Sequence, residues 1–159
     1  MIDADTFRSV LGRFASGVTI LTARDDDGDD HGMTVSAFCS LSLNPPLVLF
    51  CVDHEASMHD LLLEHPTIGI SVLSSEQEPH SRRFAAEDDD RFDGIAFTRG
   101  ENGVVLLDAA LAHMECRIAG HHEGGDHTIF IAEIERATPR ATDGRPLLYY
   151  RGGYAQLTR

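Results

Sequence analysis

The run Met33-Thr34-Val35-Ser36-Ala37-Phe38-Cys39-Ser40 is the first stretch whose residue types suit chemistry. It reads as a strand, yet it is dense in small and hydroxyl-bearing residues. Small side chains let a planar ligand lie against the main chain, and hydroxyls with exposed amides hydrogen-bond a ring edge or a phosphate. An edge strand with a solvated Thr/Ser face has the same pattern, so the residues alone leave both readings open. Further on, Asp53 to Leu63 brings Ser57 to a predicted helix start. Free amides and a partial positive charge there suit a phosphate, and Ser57 equally suits a plain helix cap. Ser81-Arg82-Arg83-Phe84 holds the only paired arginines in the chain. Arg82 or Arg83 is the best-placed cation for an anionic cofactor. The alternative is a surface helix ion-paired to Glu76, Glu78 or Glu87.

Two further groups lie towards the C-terminus. His121, His122, Asp126 and His127 flank a Gly124-Gly125 turn. They do not share one helical face as HExxH ligands do, which leaves a metal site without support. His127 differs from its neighbours because it starts a predicted strand and can point from a rigid edge into a pocket mouth. In Tyr149-Tyr150-Arg151-Gly152-Gly153-Tyr154 the glycines permit a sharp turn, and Tyr154 can cover a flat ring or pack as a core aromatic. There is no GxGxxG dinucleotide fingerprint, no phosphate-binding P-loop and no GxSxG nucleophile elbow.

Composition narrows the partners. The chain has 159 residues, 42% of them hydrophobic, with a formal net charge of -13. That length suits one domain, residues 1–159, with a real core. The acidity argues against nucleic acid and anionic membranes, which need a basic face. The acidic runs Asp25 to Asp30 and Glu87 to Asp90 read as solvated loops. Three cysteines at wide spacing, Cys39, Cys51 and Cys116, support neither a disulfide framework nor a zinc ribbon. The N-terminus lacks signal-peptide character, and no apolar run approaches the roughly 20 residues of a membrane span. The expectation is a soluble, cytoplasmic protein.

The elements that must position these groups follow from periodicity. Phe7, Val10, Leu11 and Phe14 recur at helical spacing, which predicts a helix over 3–15 stopped by Gly17. Strands are expected at Val18 to Ala23, Met33 to Leu41 and Leu47 to Val52, the last buried on both faces, with Asn44-Pro45-Pro46 ending the second. Ser57/Asp60 and Ser75/Glu78 read as capping boxes for two short helices. Ile68 to Val72, Val104 to Leu107, Leu111 to Ala119, Thr128 to Ile134 and Leu147 to Tyr150 read as further strands. Residues 85 to 103 read as a polar loop pinned by Phe92, Ile95 and Phe97. About seven strands and three short helices without βαβ alternation predict a mainly β fold, an antiparallel barrel with helices at its ends.

Five segments, in order and at matching spacing, resemble the short-chain flavin reductases that serve two-component flavin monooxygenases. They are Phe14 to Thr22, Gly32 to Val48, Ser81 to Ala85, Gly125 to Phe130 and Leu147 to Tyr154. The resemblance implies an FMN-binding split β-barrel, a homodimer with flavin near its interface, and reduction of FMN or FAD by NADH or NADPH. Reduced flavin would then pass to a separate monooxygenase. It implies that Met33, Thr34, Val35, Ser36, Ala37 and Phe38 line the isoalloxazine ring, and that Cys51, Val52 and Asp53 run beside the ribityl chain. Ser57 and Met58 meet the phosphate end, with Ser81, Arg82, Arg83 and Phe84 closing over it. His127, expected to be catalytic, and Tyr154 sit on the nicotinamide side. Two other readings remain: a barrel with tightly held flavin acting as redox carrier or sensor, and a related oxidase or reductase of a small organic substrate.

Overall fold

Strand-forming runs rich in Val, Ile, Thr and Phe, broken by Gly, Pro and Asp clusters, become strands in the computed structural model, which describes residues 1–140 and 143–158. In chain order they are Ser16–Gly17 (β1), Thr19–Arg24 (β2), Asp30–Val35 (β3), Phe38–Ser42 (β4), Leu47–Asp53 (β5), Thr67–Val72 (β6), Phe97–Arg99 (β7), Val105–Leu107 (β8), Ala112–Gly124 (β9), His127–Pro139 (β10), Leu147–Tyr150 (β11) and Gly153–Gln156 (β12). The helices are Ala4–Leu11 (α1), His59–Glu64 (α2) and Glu78–Ala85 (α3), with one 3-10 turn at Ser75–Gln77.

Seven strands form one antiparallel sheet in the order β3-β2-β6-β9-β10-β5-β4. Its first and last strands are consecutive in the chain, with only Ser36 and Ala37 between them. The sheet must therefore curl until its edges meet, which makes a barrel with its seam at Ser36-Ala37. The expected mainly β barrel with short helices is the observed architecture. Inside it, Leu21, Val48, Phe50, Val52, Ile68, Ile70, Phe130 and Ala132 form the main core. Phe50 and Phe130 face each other in register and stack at 5.5 Å, a contact worth about 1 kcal/mol beyond the area it buries. A second cluster, Val18, Ile20, Leu73, Phe84, Ile95, Val105, Leu107 and Leu147, packs α3 and the β11–β12 hairpin against the barrel.

Several elements depart from the pattern. The first helix ends at Gly12, because the Gly12 carbonyl accepts from the Arg151 amide at 2.7 Å. Its apolar stripe is unburied in this chain: Phe7, Val10, Leu11 and Phe14 are 54, 59, 50 and 82% exposed. The expected single strand from Met33 to Leu41 is two strands, since the chain crosses from one barrel edge to the other at Ser36-Ala37. Leu47–Asp53 is buried on one face only, as alternation in a barrel wall demands. Ser57 does not cap α2; the helix starts after Met58 with no side-chain cap, and Asp60 turns to the His59 ring instead. The second capping box sits one residue early, with Gln77 Oε1 accepting from the Ser74 amide at 2.9 Å. The hairpin strands β9 and β10 run 13 residues each, well past the apolar runs that mark them. Beyond the ladder, Glu123 on β9 meets the His54 ring at 3.0 Å and Arg136 on β10 pairs with Glu101 at 2.8 Å. Phe92 and Ile95 pin the 85–103 segment, whereas Phe97 is 39% exposed in the small β7–β8 sheet.

Candidate active site

The barrel seam organises the site. Phe38 N–H donates to Ser36 O and Cys51 N–H donates to Ala37 O, so the seam lies directly against β5. Ser36 and Ala37 are exposed and small, which leaves main chain open to a flat group. From there the register leads on. β5 ends at Asp53, and Asp53 pairs with His127, the first residue of β10. Predicted residues 33–38, 51–53 and 127 are thus contiguous across β3, β4, β5 and β10.

The opposite flank is closed by hydrogen bonds on Ser81. Thr34 Oγ1 donates to Ser81 O at 2.7 Å, and Ser81 Oγ lies 2.7 Å from the Tyr154 hydroxyl. Pro79 in the first turn of α3 starts the helix that brings Ser81 here. The turn at Arg151-Gly152, both at positive φ, brings Tyr154 back to it. The Arg82 guanidinium sits over the Tyr154 ring at 4.8 Å and pairs with Glu78 at 3.1 Å. Arg83 donates to the Asp93 carbonyl. Both arginines are exposed, while Ser81 and Phe84 are buried. Phe84 anchors the helix: its ring packs on Phe92 and occupies the space that a Cβ on Gly32 would need, 2.6 Å away.

Strand alternation sorts the remaining residues. Val35, Val52 and Met58 point into the core, so a ligand would meet their main chain. Met33, Thr34, Phe38 and Cys51 are half-buried, and Asp53 and Ser57 are exposed. At the far end His127 Nδ1 lies 2.7 Å from Asp126 Oδ1. An ionised carboxylate only accepts, so Nδ1 carries the proton and Nε2 is the open nitrogen. The bond from His127, with its charge, holds the Asp126 carboxyl below its ordinary value. The Cys51 and Cys116 thiols are not tuned as nucleophiles. Burial pushes Cys116 up to about 12, with Glu135 and Glu115 adding to it, and burial also raises Cys51.

Some of the neighbourhood carried no sequence signal. His59, Thr128, His54 and Glu123 converge beside His127, yet each is an ordinary polar residue until the fold brings them together. Among the described residues, no group of three or more His, Cys, Asp or Glu side chains is arranged to hold a metal. Two concavities of about 260 and 420 Å³, lined around Arg24/His65 and around Asp108/His113, lie away from the seam.

The donor set fits a flavin: small residues and open main chain at the seam, hydroxyls at Thr34 and Ser57, and two exposed guanidiniums on α3. Comparison with known proteins agrees. Residues 11–158 match the model of the flavin reductase like domain. An NADH flavin reductase from Kitasatospora aureofaciens is 40% identical over 158 residues, covering 98% of this chain and 83% of that protein. The reductase subunit of a flavin-dependent monooxygenase from Mycobacterium tuberculosis is 38% identical over 157 residues, covering 98% of this chain and 83% of that one. The solved structure of an NADH:FAD oxidoreductase from Streptomyces globisporus, in complex with NAD and FAD fragments, superposes with a TM-score of 0.92 at 39% identity. It covers 99% of this chain and 96% of that one.

Proposed function

This chain belongs to the flavin reductase like domain family, and we infer that it is an NADH-dependent flavin reductase whose reduced FMN or FAD serves a separate monooxygenase. The observation that carries this is one connected line of groups: Tyr154 is hydrogen-bonded to buried Ser81 and Ser81 to Thr34, and from Thr34 the chain and sheet register run through the exposed Ser36-Ala37 seam to Asp53 and His127. Bound flavin would supply the redox chemistry, accepting a hydride from the nicotinamide. The protein's task is binding and alignment. Thr34 and the open seam would support one edge of the ring, Arg82 would face the anionic part, and His127 would present a hydrogen-bonded imidazole on the nicotinamide side. No side chain has to take part as acid or base in a hydride transfer.

The hydride donor follows from charge. The segments around His127, residues 53–65 and 119–130, hold Asp53, Glu55, Asp60, Glu64, Glu123 and Asp126 and no arginine, and the chain has no lysine. A 2′-phosphate would meet carboxylates there and no fork to bind it, which favours NADH over NADPH.

The active form is a homodimer. Cys39 on β4, Leu47, Leu49 and Cys51 on β5, and Ile129 and Ile131 on β10 share the outer face of the barrel wall and leave it apolar; Leu41 in the β4 bulge and Leu43 in the turn after it are 46 and 92% exposed. The bare stripe of α1 adds to it. A second copy would cover these surfaces and turn the open seam into a closed site. The chain acts as one domain. No helix among the described residues is long and apolar enough to cross a membrane, and the cytoplasm, where NADH is available, is the expected location.

An oxidation assay with NADH and NADPH, each with FMN, FAD or riboflavin, tests the function. Rapid NADH oxidation that depends on added flavin is expected, and no activity with any pair would overturn it.

A further inference from the structure

A row of hydrogen bonds fastens the α2 region to β10 beside His127. His59 is 8% exposed; its Nε2 lies 2.7 Å from Thr128 Oγ1 and its Nδ1 lies 3.0 Å from Asp60 Oδ1. The carboxylate accepts, so Nδ1 carries the ring proton. In that tautomer Nε2 accepts a hydrogen bond from the Thr128 hydroxyl. Carboxylate, imidazole and hydroxyl in this order make the relay of an acyl-transfer enzyme. Thr128, however, is 1% exposed, which denies any substrate to its oxygen.

The row has a positional consequence instead. Thr128 follows His127 directly, so fixing its rotamer fixes the start of β10. The His59 ring also stands edge-on to Phe130 at 6.1 Å and to His54 at 5.2 Å. His54 in turn donates its amide to Asp126 O at 3.0 Å, and its ring lies 3.0 Å from Glu123 Oε2. Thus α2, the loop before it and the β9–β10 turn all close on the residues on either side of His127.

We propose that His59 is a positioning residue for hydride transfer, acting through Thr128 to set where His127 meets the nicotinamide. This rests on the assignment of His127 to that side. Misplacement of a reacting group by about 1 Å costs on the order of 100-fold in rate, so a small loosening at Thr128 is readable in kinetics.

The test uses the full chain with NADH and FMN. Thr128→Val keeps the shape and removes the hydroxyl, and Thr128→Ser restores it. Thr128→Val is expected to slow single-turnover flavin reduction at saturating NADH roughly tenfold, with the flavin dissociation constant unchanged, while Thr128→Ser stays within about twofold of the parent. Imidazole nitrogen–proton NMR is expected to show His59 as the Nδ1–H tautomer. Should Thr128→Val not fold, His59→Gln, which keeps an acceptor towards Thr128, is expected to retain at least about half the parental rate, and His59→Leu is expected to lose it. A parental rate in Thr128→Val or His59→Leu, or an Nε2–H tautomer, overturns the proposal. His127→Ala run alongside separates the two levels. A parental rate in His127→Ala removes the assignment of His127 and the inference built on it. A slowed His127→Ala beside a parental Thr128→Val removes the inference alone.

Discussion

Ser81 and Tyr154, 73 positions apart in the chain, share a 2.7 Å hydrogen bond between their hydroxyls, and through the Ser81 carbonyl Thr34 joins the same junction. One buried serine on α3 therefore ties the C-terminal hairpin to the strand that lines the seam. Tyr154→Phe removes the bond and leaves the Ser81 hydroxyl buried without it. The expected result is a loss of about 1–2 kcal/mol in stability and weaker flavin binding, read by urea unfolding and by fluorescence titration with FMN.

His127 sits at the first position of β10, bonded to Asp126 and paired with Asp53. His127→Ala is expected to slow hydride transfer while leaving flavin affinity within about twofold, because the ring lies outside the seam. Rapid mixing of flavin-loaded protein with NADH checks this; an unchanged rate at saturation takes His127 out of the mechanism.

The seam demands small side chains at Ser36 and Ala37, where the chain passes between barrel edges with its surface open. Ala37→Phe is expected to weaken flavin binding by at least about tenfold, since a bulky group fills the space against the main chain. Because Ala37 is exposed and lies outside the strands, the melting temperature should barely move. Equilibrium titration and calorimetry together distinguish this from general damage.

The segments around His127 carry six carboxylates and neither arginine nor lysine, so NADH should outcompete NADPH in kcat/KM by on the order of 10- to 100-fold, the range expected from one unpaired phosphate charge near several acids. Raising the salt concentration should narrow the ratio by screening. Equal use of both nucleotides would contradict the charge argument.

Acid stability follows from carboxyls held low in the folded state. Asp25 is lowered by its bond from His31 and by the Asp29 amide, and Asp126 by its bond from His127. The unfolded chain binds protons on these groups more readily than the folded one. Their contribution is therefore fully present above the ordinary carboxylate value of about 4 and disappears as pH falls through the lower folded values. Asp25→Asn should flatten the stability profile below that point, measured as urea midpoints between acid and neutral pH.

Much of this protein was legible in the residues because local physics decides it. β-branched runs bounded by Gly, Pro and Asp mark the strands, and the absence of βαβ alternation marks an antiparallel barrel. The Met33–Phe38 run carries its small, hydroxylated character in the sequence itself. What failed were inferences that need a neighbour from far along the chain. Phe7, Val10, Leu11 and Phe14 have helical spacing, but spacing does not say whether a partner covers the stripe, and within this chain none of the helix is buried. Ser57 has the right type for a cap, but Asp60 is drawn to His59, which Thr128 holds from 69 positions away. The strand through Met33 to Leu41 divides only because β3 and β4 are opposite edges of one sheet, a fact of closure that no period reveals. Local preference thus determined the elements and the chemistry they offer. The tertiary structure decided their joining, since hydrogen bonds such as Ser81 to Tyr154 exist only once the chain has closed on itself.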